Sequence, residues 1–234
     1  MIDSIEAINK ELESKNAHER LQTIISRYNT DHLVLATSFS AEDQVLLDMA
    51  VKINASIRIF TLDTGRQFQE TYDVFDVTQK KYNVSIEVYA PERSEIELFT
   101  MKNGPNAMYD SIALRKECCR IRKIVPLRKA LSTADAWICG LRQEQSVTRF
   151  NCDPAEMDSA NGIVKFSPLY DWTKEMVWEY IKKNSVPYNL LHDKNYPSIG
   201  CAPCTRAVKD GDDDRAGRWW WESVEQKECG LHKK

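Results

Sequence analysis

The sequence predicts an α/β domain with helices on both faces of a mostly parallel sheet, and three observations predict it. Apolar runs of strand length alternate with stretches of helical periodicity through the first half. Successive strand ends carry polar, hydroxyl-rich loops, the edge at which open parallel sheets bind ligands. The 234 residues suffice to bury one substantial core, with no internal repeat or low-complexity linker to divide them.

Ser4 to Tyr28 places Ile5, Ile8, Leu12, Leu21, Ile24 and Ile25 at helical spacing, an amphipathic entry helix or pair whose simplest role is packing or a subunit contact. His32–Thr37 reads as a buried strand that turns at Ser38-Phe39-Ser40 into a helix from Ala41. A strand, a hydroxyl-rich turn and a helix N-terminus make an anion site, because free N–H groups and the helix dipole face the ligand. The turn lacks the glycines and lysine of a Walker A loop, which argues against ATP hydrolysis by that route. Ser56–Leu62 forms a second strand ending in Asp63-Thr64-Gly65-Arg66, before a helix over Gln67–Lys81 and a third strand over Val84–Tyr89. After a helix and a Gly104-Pro105-Asn106 turn, a further helix carries a cysteine doublet. Ala134–Gly140 is another core strand, Ile163–Phe166 an edge strand, and Thr173 caps a helix to Asn184 with Met176, Val177, Tyr180 and Ile181 on its buried face.

The chain is expected to form one domain over residues 1–234, with a helical segment at 1–31 and a mobile tail at 211–234. In that tail the acidic triplet Asp212-Asp213-Asp214 reads as a solvated loop and the tryptophans at 219–221 as an anchor. A net charge of −3 argues against general nucleic-acid binding, while bases crowd the cysteine segments and suit an anionic small molecule. No apolar run spans a bilayer and no signal pattern opens the chain, so a cytoplasmic location is expected, with no membrane partner. Seven cysteines, an odd number, fit a reducing compartment in which thiols act as ligands and nucleophiles.

The chemistry concentrates in those cysteines. Lys116-Glu117-Cys118-Cys119-Arg120 sets two thiols among bases, and Gly200-Cys201-Ala202-Pro203-Cys204 sets two more in a Gly/Pro turn. Four soft ligands suit a structural zinc or an iron–sulfur cluster, and residue type alone leaves both open. Adjacent residues on a helix diverge by about 100°, which a multi-iron cluster accommodates better than one tetrahedral ion. Cys139 reads as a packing residue and Cys152 as incidental. Cys229, beside Gly230 and near His232, has the setting of a mobile nucleophile, although spacing alone ranks it only just above a bystander.

Together, Thr37 to Gln44, Leu62 to Arg66 with Glu70-Thr71-Tyr72, Lys116 to Cys119 with Arg122-Lys123, Gly140 to Arg149, the Cys201–Cys204 turn, Arg215 to Glu222 and Glu228 to His232 resemble the assimilatory adenylyl-sulfate reductases of bacteria. The resemblance runs from about residue 33 to the tail. It implies an adenine-nucleotide α-hydrolase-like fold with a modified pyrophosphate loop at Ser38–Asp43. It further implies a 4Fe-4S cluster on Cys118, Cys119, Cys201 and Cys204, and Cys229 as the catalytic nucleophile. Ser38, Ser40, Leu62, Asp63, Gly65, Lys116, Arg142, Arg215, Arg218 and His232 are the substrate-binding residues it suggests.

The substrate so implied is adenosine 5′-phosphosulfate, reduced to sulfite and AMP in sulfate assimilation and cysteine biosynthesis, with reduced thioredoxin or a similar dithiol as donor. Two alternatives stand beside it: a reductase of the 3′-phosphorylated substrate or of both, and an iron–sulfur regulatory module that binds a nucleotide without turning it over. A homo-oligomer is left open.

Overall fold

In β1 (Leu33–Thr37), Leu33 and Leu35 join one apolar cluster while Val34 joins another. The same split recurs in β2 (Arg58–Leu62), where Ile59 and Phe60 part company, and in β4 (Ala136–Ile138), where Trp137 faces away from Ala136 and Ile138. Side chains alternate across a strand, so apolar residues at both parities mean that both faces of the sheet are covered. The computed structural model, which describes residues 4–145, 152–223 and 230–231, accordingly has three layers.

The six strands run in the order β3-β2-β1-β4-β6-β5, with β3 at Ile86–Tyr89, β5 at Ala155–Asp158 and β6 at Ile163–Phe166. All pairings are parallel except β5 with β6. One face is packed by α1 (Ile5–Glu13), α2 (Ala17–Arg27), α3 (Ala41–Ile53) and α8 (Lys174–Asn184), which bury Leu12, Leu21, Leu46 and Ile181. Across the sheet, α7 (Val125–Leu131) buries Leu127, Ala130 and Leu131 against Phe60 and Trp137. The buried Asp48 of α3 accepts hydrogen bonds from Tyr82 of α4 (Gln69–Tyr82) at 2.9 Å and from Tyr180 of α8 at 2.7 Å, which ties three helices together.

Two sequence expectations need correction. Ile163–Phe166 is not the edge: it pairs with β4 on one side and β5 on the other. The edge strand β5 escapes a sequence reading because Ala-Glu-Met-Asp holds no β-branched or aromatic residue. Its open rim is partly closed by α1, since the Asn9 amide donates to Ala155 O at 3.0 Å and accepts from Ala155 N at 2.8 Å. Met176, expected on the buried face of α8, is 41 % exposed, because that helix packs through Val177 and Ile181 one turn apart. Among the described residues no helix is long and apolar enough to cross a membrane.

The region of the doublet is built by a break in helical regularity. α6 (Ile112–Cys119), the helix after α5 (Arg93–Asn103), passes into a π-helical turn over Arg120–Ile124, closed by the Val125 N–H bonded to Arg120 O, and then into α7. Pro126 has no N–H to give to a carbonyl four residues back, which favours such a widening before it. The backbone therefore departs from α geometry directly after the adjacent cysteines.

Gly211, Asp212 and Asp213 are exposed, as a solvated loop should be, whereas residues 214–222 are half-buried or buried. Trp219 is 1 % exposed, Arg218 and Glu222 are buried, and Asp214 of the acidic triplet pairs with Lys174 at 2.8 Å.

Candidate active site

A cavity of about 720 Å³ opens at the C-terminal ends of β1, β2 and β4. Its volume lies in the range of small-molecule and nucleotide sites. One wall is the loop from β1 into α3. Phe39 holds φ 60, an unusual value for a bulky residue, and is kept there by stacking on Phe75 at 4.9 Å between ring centres. Ser38 donates from both its backbone N–H and its hydroxyl to Asp43 Oδ2, each at 2.7 Å. Burial pushes the Asp43 carboxyl up, against the Ser38 hydrogen bonds that hold it down. Ser40 takes the N-cap position without a side-chain capping bond. Gly140, at the end of β4, is required here, since a Cβ would lie 2.5 Å from Asp43 Oδ1.

Ser38, Ser40, Leu62, Arg142, Arg215 and Arg218 all line this cavity. Asp63 and Gly65 do not line it. The Asp63 carboxylate accepts from Gly65 N at 2.8 Å and Tyr72 OH at 2.9 Å, and this shapes the loop that brings Thr64 to the wall. Arg142 is already engaged: its fork meets Glu42 at 2.8 and 2.9 Å and donates to Trp172 O at 3.1 Å. Cys139 lies in the floor, its thiol pushed up to about 12 by burial, which suits packing rather than nucleophilic work. Cys152 is buried in the apolar cluster around Trp137.

Beside the large cavity is a small one, about 20 Å³, lined by all four of Cys118, Cys119, Cys201 and Cys204. The Cys201–Cys204 turn is held by Ala202 N donating to Arg66 O at 2.8 Å and by Tyr109 OH donating to Pro203 O at 2.6 Å. Cys201 Sγ donates to Thr64 Oγ1 at 3.2 Å, while Arg122 donates to Thr64 O at 2.6 Å. Burial raises the Cys118 thiol, and takes Cys204 to about 12. At Cys201 burial acts the same way but is outweighed by Lys123, the Thr64 hydroxyl, Arg218 and Arg122, which leave that thiol below its ordinary value. Among the described residues no group of three or more His, Cys, Asp and Glu side chains could hold a metal ion as it stands.

Lys123 and Trp219 line both cavities. Lys116, the substrate-binding base that the resemblance suggests beside the doublet, is exposed on α6 and lines neither. The turn after Cys119 turns Lys123 inward instead, and its only signal was adjacency to the doublet in the Arg122-Lys123 pair. Two guanidinium groups lie over the Trp219 ring, Arg115 at 4.9 Å and Arg218 at 4.7 Å from the ring centre. Gly200 allows that approach, for a Cβ there would stand 2.3 Å from the Arg218 guanidinium. His192 is a second residue that no sequence pattern revealed. It lines the cavity with a buried Nε2 that has no hydrogen-bond partner among the described residues, and burial lowers its pKa, which favours the neutral ring. Cys229 and His232 lie outside the described residues.

Arg115 holds this partition from behind through Glu222, at 2.6 and 2.9 Å with both side chains essentially unexposed. Replacing Arg115 with methionine strands a buried carboxylate and is expected to cost about 3–5 kcal/mol of stability. Urea unfolding checks this, and a loss below about 1 kcal/mol would mean that Glu222 finds water or another partner.

Fold and site together define an α/β protein of the adenine-nucleotide α-hydrolase-like type, with its ligand cavity at the strand ends. The sequence matches the phosphoadenosine phosphosulfate reductase domain over residues 32–207. It is 50 % identical over 204 residues to the adenosine 5′-phosphosulfate reductase of Allochromatium vinosum, covering 87 % of this chain and 80 % of that one. With the enzyme of the same name from Burkholderia cepacia it shares 45 % over 228 residues, covering 97 % and 90 %. In structure it superposes on the phosphoadenylyl-sulfate reductase of Candida auris with a TM-score of 0.75 at 28 % identity, covering 89 % of this chain and 98 % of that one. The chain belongs to the phosphoadenosine phosphosulfate reductase family.

Proposed function

We propose that the protein reduces adenosine 5′-phosphosulfate to sulfite and AMP, using reduced thioredoxin or a similar dithiol, in the cytoplasmic assimilation of sulfate into cysteine. The observation that carries the reading is the shared wall: a nucleotide-sized cavity meets a four-cysteine cavity across Lys123 and Trp219. The names of the relatives at 45–50 % identity support the unphosphorylated substrate.

The nucleotide's phosphate fits the Ser38–Asp43 loop, where the N-terminus of α3 favours an anion. Lys123, Arg215 and Arg218 then offset the charge on the sulfonate oxygens, which would otherwise repel an incoming thiolate. The Cys229 thiolate attacks sulfur, an S–S bond forms, and the S–O bond to phosphate breaks with its electron pair leaving on AMP. One thioredoxin thiolate attacks Cys229 Sγ, and sulfite departs with the S–S pair. The second thioredoxin thiol attacks the thioredoxin sulfur of the mixed disulfide, which frees Cys229 and leaves thioredoxin oxidised by two electrons. One sulfur must face both substrate and donor in turn, so the two thiol-exchange steps follow one another and do not overlap.

Cys118, Cys119, Cys201 and Cys204 would hold a 4Fe-4S cluster. Four soft donors around one cavity, two buried and two half-buried, with Arg122 and Lys123 beside them, fit such an anionic group. Bound there, it would supply a structural and electrostatic centre beside Arg122 and Lys123, since thiol exchange alone moves both electrons.

Anaerobic sulfite release from the two phosphosulfates, side by side with reduced thioredoxin, tests the reading. A strong preference for the unphosphorylated compound is expected. Equal or reversed preference would uncouple the four cysteines from substrate choice, and no sulfite from either would favour a nucleotide-binding regulatory module.

A further inference from the structure

Leu231 has no role in the chemistry above, yet it is partly buried in the cavity wall. It packs against the apolar cluster containing Phe60, Trp137 and Leu141, and it shares the cavity lining with Leu62 and Leu127. Gly230 precedes it at φ 87, a conformation that residues with a Cβ rarely adopt, so a turn directs the leucine inward. The cavity retains about 720 Å³ with the leucine seated, so side chain and nucleotide can share it.

We propose that Leu231 is a positioning residue: an apolar anchor that seats the C-terminal segment on the wall of the nucleotide cavity and thereby keeps the Cys229 thiol within reach of the substrate. The proposal rests on the reading of Cys229 as nucleophile. Two residues of chain span at most about 7 Å, so a seated Leu231 confines the thiol to that neighbourhood. A released one leaves it free to sample solvent. The anchor raises the effective concentration of the thiolate at sulfur without touching the reacting atoms. Because the contact described for Leu231 is apolar, it can be undone by a polar substitution and restored by another flexible apolar side chain.

The test uses the full-length protein under anaerobic conditions, with AMP release from adenosine 5′-phosphosulfate followed in a single turnover without thioredoxin. At saturating substrate, Leu231→Asp is expected to slow AMP release by about tenfold or more, the scale of losing most of one leucine's burial. Equilibrium affinity for AMP should stay within about twofold, Leu231→Ala should fall between, and Leu231→Met should restore most of the rate. An unchanged rate in Leu231→Asp would overturn the anchor. So would AMP binding that weakens in step with the rate, which would make the leucine a nucleotide contact, or AMP binding that tightens, which would make it a plug. Wild-type protein that binds AMP but releases none from the phosphosulfate would overturn the underlying reaction itself, a result distinct from any of these.

Discussion

Replacing Cys229 with serine is expected to abolish sulfite formation, a loss of at least about 10³-fold, while AMP still binds with wild-type affinity. The size of the effect follows from what the sulfur does. Its thiolate exists in useful amount near neutral pH whereas a serine alkoxide does not, and only sulfur can form the S–S bond from which sulfite later leaves. No described residue replaces it: Cys139 is fully buried with its thiol near 12, and the four cysteines of the small cavity are set apart behind Lys123 and Trp219. Intact mass after mixing with substrate is the direct readout. Wild-type protein should gain one SO₃ group that reduced thioredoxin removes, and the serine variant should gain none. Sulfite at wild-type rates from the serine variant would sink the thiosulfonate route.

Substituting Cys201 with serine should release iron and acid-labile sulfide together, with loss of sulfite formation. Cys201 is hydrogen-bonded to Thr64 and stands close enough to Lys123, Arg218 and Arg122 for its thiolate to be favoured despite burial. A serine oxygen is a harder and more basic donor that suits neither iron–sulfur chemistry nor this buried site. Metal and sulfide analysis of anaerobically purified protein, beside its visible absorption, checks the outcome. Stoichiometric zinc without iron or sulfide in the wild type would refute the cluster, and full retention of iron in the variant would remove Cys201 from the ligand set.

Much of this arrangement was legible from the residues. The strand at His32–Thr37 stood out because Leu33 to Ala36 run unbroken between polar turns, and Ser56–Leu62 because Ile57, Ile59, Phe60 and Leu62 place apolar residues at both parities, as both-face burial requires. The four cysteines could be grouped because thiols flanked by bases, and by Gly and Pro, have few structural uses. What escaped was set by tertiary geometry. β5 carries no strand-forming residues and exists because β6 and Asn9 supply its partners. Lys116 and Lys123 are equivalent by charge, and only the π-helical turn between them decides which one faces inward. Glu42 gave no sign that it would occupy the Arg142 fork, since the two stand 100 residues apart in the chain.

One ring, the indole of Trp219, belongs to the lining of both cavities and has the Arg218 guanidinium against it. The two cavities are therefore not mechanically independent: a change of packing on the thiol side reaches, through that single ring, a cation that lines the larger cavity.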